Sequence, residues 1–335
     1  FRDLLRDMLE AAARGATTPA SPATPTAPAA TSHLSNEERL ALRAAVRRRS
    51  VRVDAAFADG RGSHGSGFVV WRSGPTAVVL TNAHVVEDSA GFVARRTAVR
   101  PASGPAGAAR PLAAHVVWAQ DDRTRGLDYA FLAVEDTAGV LGEAVAQASG
   151  VAPGERVIAV GNPLDEDFLI DEGTVRRVEP TLSGQMFAYD ALVERGSSGG
   201  GVFNMRGELV GITTYLEHRT QFGLALATAP LFRQVRFHQV RVAADAADWE
   251  DSGILLGLGT RSVRVFAAGR WSVGPFAGRT GPQGMAGCAQ HSLLPELGHG
   301  ALLVMVGPRG TPAAVDRWWR TAEPGAAFAL VDAPR

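Results

Sequence analysis

Ala77-Val78-Val79-Leu80-Thr81-Asn82-Ala83-His84-Val85-Val86 carries an apolar run of strand length directly into a histidine. Ala77 to Leu80 read as a buried strand, and His84 falls just past its end, at the edge of a sheet. The neighbouring sequence has the same texture. From Val51 to about Gly223, short runs rich in Val, Ile and Leu alternate with Gly, Pro and Asp. Examples are Gly67-Phe68-Val69-Val70, Ala130-Phe131-Leu132-Ala133-Val134, Val157-Ile158-Ala159-Val160 and Leu209-Val210-Gly211-Ile212. Many short strands with turn residues between them predict an all-β barrel or sandwich. Pro230 to Phe237 reads as a short helix that closes this unit.

Upstream the texture differs. Residues 1–14 place Leu4, Leu5, Met8, Leu9 and Ala12 at helical spacing, as the tail of an upstream helical element would. Residues 15–32 are Ala, Thr, Pro and Ser apart from Gly15, a composition that builds no core and reads as an extended linker. Ser35 with Glu38 three residues on has capping-box spacing. The helix it predicts runs to about Arg48, where an arginine cluster suits the helix dipole. The chain begins with Phe1, so its natural start, with or without a signal peptide, is expected further upstream. Beyond about residue 239 a second, Gly-rich β-like texture holds most of the tryptophans. The expected organisation is an N-terminal helix remnant, linker and lead-in helix over 1–50, a β domain over 51–238, and a small β module over 239–335.

The composition sets limits on function. A chain of 335 residues accommodates two domains, and 46% hydrophobic with 20% charged residues describes a globular protein. All 34 basic residues are arginine and are balanced by 34 acidic ones. No basic excess exists to neutralise phosphates, so nucleic acid is not an expected partner. A single cysteine, Cys288, excludes an intramolecular disulfide and a cysteine-based metal cluster. No apolar run reaches transmembrane length.

Three local patterns carry chemistry, in the order His, Asp, Ser. They are Thr81-Asn82-Ala83-His84-Val85-Val86, Gly126-Leu127-Asp128-Tyr129-Ala130 and Gly196-Ser197-Ser198-Gly199-Gly200-Gly201-Val202. A serine hydroxyl is a poor nucleophile at neutral pH unless a base takes its proton as it attacks. His84 is the candidate base, Ser198 the nucleophile, and Asp128 the carboxylate that holds the imidazole tautomer and stabilises the imidazolium. A tight Gly-rich turn can aim two backbone N–H groups into one small space, and Gly196 and Ser198 are the candidate oxyanion-hole donors. Each pattern alone is commonly structural. Their conjunction, each at a strand edge within one barrel-sized segment, favours a protease.

Residues 50–237 resemble the trypsin-like (chymotrypsin-fold) serine peptidases, and most closely the bacterial HtrA/Deg branch. The motifs are Gly65-Ser66-Gly67-Phe68-Val69-Val70 before the histidine, the histidine motif itself, Gly161-Asn162-Pro163 with Gly173-Thr174-Val175, Asp190-Ala191, and Gly207-Glu208-Leu209-Val210-Gly211-Ile212. The resemblance implies a mainly β fold with a double six-stranded β-barrel, the site in the cleft between barrels, a polypeptide substrate, and no cofactor for catalysis. Ser197 stands where the branch usually has Asn, and no PDZ-like pattern follows. By the same resemblance, Leu192, six positions before the nucleophile, forms the base of the pocket for the residue before the cut. Small or medium apolar side chains are therefore expected there.

Residues 239–335 resemble the LecA/PA-IL galactose-lectin family, a small β-sandwich. The matching series is Trp249-Glu250-Asp251-Ser252-Gly253-Ile254, Val263-Arg264-Val265-Phe266, Gly281-Pro282-Gln283-Gly284 and Gly300-Ala301-Leu302-Leu303-Val304-Met305-Val306-Gly307. In that family Ca²⁺ bridges sugar hydroxyls to protein oxygen ligands. Only Asp332 matches the start of its ligand loop, and Val273 stands where a tyrosine supplies a backbone ligand. Calcium and glycan binding are thus open expectations, as is stacking of Trp249, Trp271, Trp318 or Trp319 on sugars. The leading expectation is a secreted or cell-envelope endopeptidase. The alternatives are a catalytically silent binding protein and a cytoplasmic effector protease.

Overall fold

Ser35 and Glu38 cap each other: Ser35 Oγ accepts the Glu38 N–H at 3.2 Å, and Glu38 Oε2 accepts the Ser35 N–H at 2.7 Å. Helix α1 (Asn36–Arg48) grows from this capping box and ends on Arg47 and Arg48, which face the negative end of its dipole. The structure is a computed structural model and describes residues 34–102, 110–122, 125–163, 168–242, 249–257, 260–267, 269–272, 279–285, 297, 299–307, 312–315, 318–321 and 328–331. The expectations for residues 1–14, the linker 15–32, Val273, Cys288 and Asp332 lie outside the described residues.

Two closed six-stranded barrels follow α1. The first comprises β1 (Ser50–Ala56), β2 (Gly62–Ser73), β3 (Thr76–Thr81), β4 (Arg96–Pro101), β5 (Leu112–Asp122) and β6 (Leu127–Glu135), closed in the order β1-β2-β3-β6-β5-β4. Its strands are antiparallel, and alternate residues such as Val51, Val53 and Ala55 of β1 face a core shared with Val79, Val99 and Leu132. The one-turn helix α2 (Ala83–Val86) leaves β3 directly. The second barrel comprises β7 (Arg156–Gly161), β8 (Leu169–Thr181), β9 (Gly184–Tyr189), β10 (Gly201–Asn204), β11 (Leu209–Glu217) and β12 (Phe222–Ala227), closed in the order β10-β11-β12-β9-β8-β7. Phe187, Tyr189, Val157, Val202 and Val210 fill it. Closure leaves neither barrel with a free edge. Helix α3 (Ala229–Gln234), with Pro230 in its first turn, ends the unit.

The chain divides into two compact units, Phe1–Arg236 and Phe237–Arg335. Taken by itself, the second holds small antiparallel sheets: β13 (Ser262–Arg264), β18 (Trp318–Thr321) and β19 (Phe328–Val331) in the order β13-β18-β19, and the pairs β14 (Trp271–Ser272) with β15 (Arg279–Thr280) and β16 (Leu303–Val304) with β17 (Ala313–Ala314). Trp271 Nε1–H donates to Gly300 O at 3.0 Å. Among the described residues no helix is long and apolar enough to cross a membrane.

Candidate active site

His84 and Asp128 come from neighbouring elements of the first barrel. β3 pairs with β6, Thr81 opposite Ala130, so the chain leaving β3 passes the start of β6. His84 lies on α2, immediately past that pairing. Asp128 Oδ2 meets His84 Nδ1 at 2.6 Å and Oδ1 accepts the His84 backbone N–H at 3.1 Å, so one carboxylate fixes both ring and backbone. Asp128 is 1% exposed. With Nδ1 donating to this carboxylate, Nε2 is the ring nitrogen that keeps a lone pair.

Asn82, fully buried, joins this pair to the second barrel. Its Nδ2 donates to Asp128 O at 2.8 Å and to Thr214 Oγ at 3.2 Å. The Thr214 hydroxyl is itself committed as a donor to Ile212 O at 3.1 Å, which fixes the direction of the Asn82 contact. The Tyr215 ring lies 6.1 Å from the His84 ring, 16° from parallel.

Ser198 and its loop come from the second barrel and are tied to the first by one residue. Ser66 of β2 donates its N–H to Ser198 O at 2.7 Å and its hydroxyl to Gly196 O at 2.7 Å. The same hydroxyl accepts the Asn162 N–H at 2.8 Å, and Ser66 O accepts from Thr81 Oγ1 at 2.7 Å. With both loop carbonyls turned to Ser66, the N–H groups of Gly196 and Ser198 have no partner among the described residues. Gly196 (φ 96°) and Gly199 (φ 84°) occupy the left-handed region. A Cβ at Gly199 would overlap Ser66 O and Thr81 Oγ1, so the loop passes close to β2 only because that residue is glycine.

The two adjacent serines differ. Ser197 is 5% exposed and its hydroxyl accepts the Glu194 N–H at 3.3 Å. Ser198 is half-buried and its hydroxyl donates to Thr214 O at 3.5 Å. The structure thus brings His84 and Asp128 into direct contact, while the Ser198 hydroxyl rests on a carbonyl of β11; catalytic hydrogen bonds in substrate-free enzymes are often loose in this way.

Leu192 is 52% exposed, and its N–H donates to Asp171 Oδ2 at 2.7 Å. Asp190 Oδ1 accepts the Thr174 N–H at 2.6 Å and Oδ2 pairs with Arg176. Near His84, half-burial first, and then the charges of Asp121, Asp128 and Asp88, raise the Glu87 carboxyl to about 7. Ser66, Asn82 and Thr214 carry much of this geometry. Ser66 and Asn82 stand inside the quoted motifs, but a one-dimensional motif does not say which atoms they hold. For Thr214, Tyr215 and Asp171 the sequence held no signal, because their partners are distant in the chain.

Residues 65–212 match the trypsin-like peptidase domain family. Serine protease HTRA2, mitochondrial, of Bos taurus is 32% identical over 160 residues, 45% of this chain and 31% of that protein. The protein of Rhizobium meliloti named "Probable periplasmic serine endoprotease DegP-like" is 35% identical over 156 residues, 45% of this chain and 28% of that protein. This chain therefore spans about a third of the length of these relatives. A solved structure of the serine endoprotease from Yersinia pestis is 27% identical, covers 60% of this chain and 66% of its own, and superimposes with a TM-score of 0.46. Residues 65–212 thus match the trypsin-like peptidase domain family and are similar to the corresponding part of the HtrA and DegP-like serine proteases.

Proposed function

We propose that this chain is a serine endopeptidase in which Ser198 is the nucleophile, His84 the general base and acid, and Asp128 the orienting carboxylate. The observation that carries this reading is the contact of 2.6 Å between His84 and the buried Asp128, beside a serine loop whose Gly196 and Ser198 N–H groups are unpartnered among the described residues. In the reaction His84 Nε2 takes the Ser198 proton as Oγ attacks the scissile carbonyl carbon. The tetrahedral oxyanion is received by the Gly196 and Ser198 N–H groups, and Asp128 stabilises the imidazolium. The imidazolium then protonates the leaving amine, and the acyl group stays on Ser198. Water, activated by the same imidazole, releases the acid. The chemistry calls for no cofactor.

Leu192 is the expected floor of the substrate pocket, and its half-exposed apolar side chain supports a preference for small or medium apolar residues before the cut. The C-terminal unit is proposed as a lectin-like β-sandwich that targets the peptidase to a glycan, with Asp332 as a calcium ligand. Its small antiparallel sheets are compatible with that architecture. A secreted or envelope location is proposed because several relatives are named as periplasmic. A fluorogenic peptide library tests the enzymatic reading: the purified chain is expected to cleave after small or medium apolar residues, and Ser198→Ala to be inert. Equal turnover by the variant refutes the mechanism, and rapid cleavage after Arg or Lys refutes the assigned pocket.

A further inference from the structure

Arg39, Arg43 and Arg47 sit four residues apart on α1 and form one stripe. They meet the second barrel in descending order. Arg39 Nη2 reaches Glu172 Oε2 at 2.6 Å, Arg43 Nη2 donates to Ile170 O at 2.5 Å, and Arg47 Nη1 donates to Phe168 O at 3.5 Å with its guanidinium 5.8 Å from the Phe168 ring centre. The match is geometric: four helix residues rise about 6 Å and two strand residues advance about 6.6 Å. Arginines every fourth residue therefore stay in step with Glu172 and Ile170 of β8 and with Phe168 just before it, the two chain directions being opposed. Arg156 of β7 holds the same Glu172 oxygen at 2.7 Å.

Glu172 faces this arginine clamp, so Asp171, the adjacent strand residue, projects from the opposite face. There it accepts the Leu192 N–H at 2.7 Å. The segment before Leu192 lies on the same strand: Asp190 N–H donates to Thr174 O at 3.3 Å, and Thr174 N–H to Asp190 Oδ1 at 2.6 Å. A Cβ at Gly173 would overlap Ala191 N, so the two backbones are in close contact. Beyond Leu192 the chain turns, with Ser197 N–H on Glu194 O at 3.0 Å, and enters the nucleophile. Among the described residues, the Asp171 contact is the last hydrogen bond to β8 before that turn.

We propose that Asp171 is a positioning residue for the substrate pocket, and that helix α1 is the splint that holds its strand. The proposal rests on the reading of Leu192 as the pocket floor. A splint of this kind makes the segment upstream of the barrels a means of setting pocket rigidity.

The test uses the full chain with Asp171→Ala, Asp171→Asn and the double variant Arg39→Gln/Arg43→Gln. Three quantities are read: kcat and KM on peptides differing only in the residue before the cut, labelling rate by a small fluorophosphonate without such a side chain, and hydrogen exchange of the Leu192 amide. Asp171→Ala is expected to lower kcat/KM for the preferred peptides about tenfold or more and to flatten the preference among them. The labelling rate is expected to change by less than about threefold, because the probe uses only Ser198, His84 and the oxyanion donors. Asn keeps an oxygen acceptor and is expected to restore most of the loss. Leu192 exchange is expected to accelerate in Asp171→Ala and, by a smaller factor, in the arginine double variant. An unchanged peptide preference in Asp171→Ala, no rescue by Asn, or a parallel fall in labelling and hydrolysis overturns the proposal. A wild type that neither labels nor cleaves refutes the peptidase reading instead. In that case the exchange rates alone decide whether Asp171 and α1 hold Leu192.

Discussion

The two barrels contribute to the site in different ways. The first holds His84 and Asp128 on regular structure: a helical turn leaving β3 and the second residue of β6, joined by two hydrogen bonds to one buried carboxylate. The second holds Ser198 and the Leu192 segment on irregular backbone, fixed by bonds that arrive from elsewhere: Ser66 from the first barrel and Asp171 from β8. A sheet over-determines its side chains through many shared ladder bonds, whereas a loop depends on a few named ones. The His84–Asp128 pair should therefore resist single substitutions away from itself, and the Ser198 loop should not.

Three substitutions break or sharpen that contrast. The largest effect is expected from Asp128→Asn, which keeps the shape but favours the wrong imidazole tautomer. A loss in kcat of about 10⁴-fold with little change in KM is expected, on the precedent of triad carboxylates. A loss under tenfold means that His84 does not depend on the carboxylate. Ser66→Ala comes next. It removes the hydroxyl that donates to Gly196 O and accepts the Asn162 N–H. Peptide turnover is expected to fall by about ten- to a hundredfold, with KM nearly constant, because the bond orients donors used in the transition state. Equal activity means the loop is held without Ser66, and the contrast between barrels fails.

The smallest effect is expected from Glu87→Gln, beside the base. The Glu87 carboxyl is raised from 4.5 to about 7 by burial and by the neighbouring acids Asp121, Asp128 and Asp88. A raised carboxyl binds its proton more tightly in the folded protein than in the unfolded one. Its favourable contribution is therefore full below about pH 4.5 and is lost as pH rises through about 7. Glu87→Gln should raise the melting temperature at about pH 8 and leave it nearly unchanged at about pH 4. A gain of the same size at both values contradicts the assignment.

The contrast also explains what the sequence made legible. The barrels were readable because each strand is a short aliphatic run between turn residues, as in Ala77–Leu80 and Val157–Val160. The helix at 36–48 was readable because its cap is local, Ser35 to Glu38. His84, Asp128 and Ser198 stood out because each lies in a compact motif. The ties that hold the loop did not: Ser66 and Gly196 are 130 residues apart, Asn82 and Thr214 are 132 apart, and only folding brings them together. The arginine cluster at the end of α1 was visible in the sequence as a match to the helix dipole, but the stripe Arg39, Arg43 and Arg47 was not. Its register with Phe168, Ile170 and Glu172 depends on a strand more than a hundred residues away.

The central claim is that Ser198, and not its neighbour Ser197, is the nucleophile activated by His84. The direct measurement is peptide mapping by mass spectrometry after reaction with a fluorophosphonate, on the wild type and on His84→Ala. One adduct on Ser198 of the wild type, lost or greatly slowed in His84→Ala, is the predicted result. An adduct on Ser197, no adduct in the wild type, or labelling that ignores the His84 substitution would contradict the account.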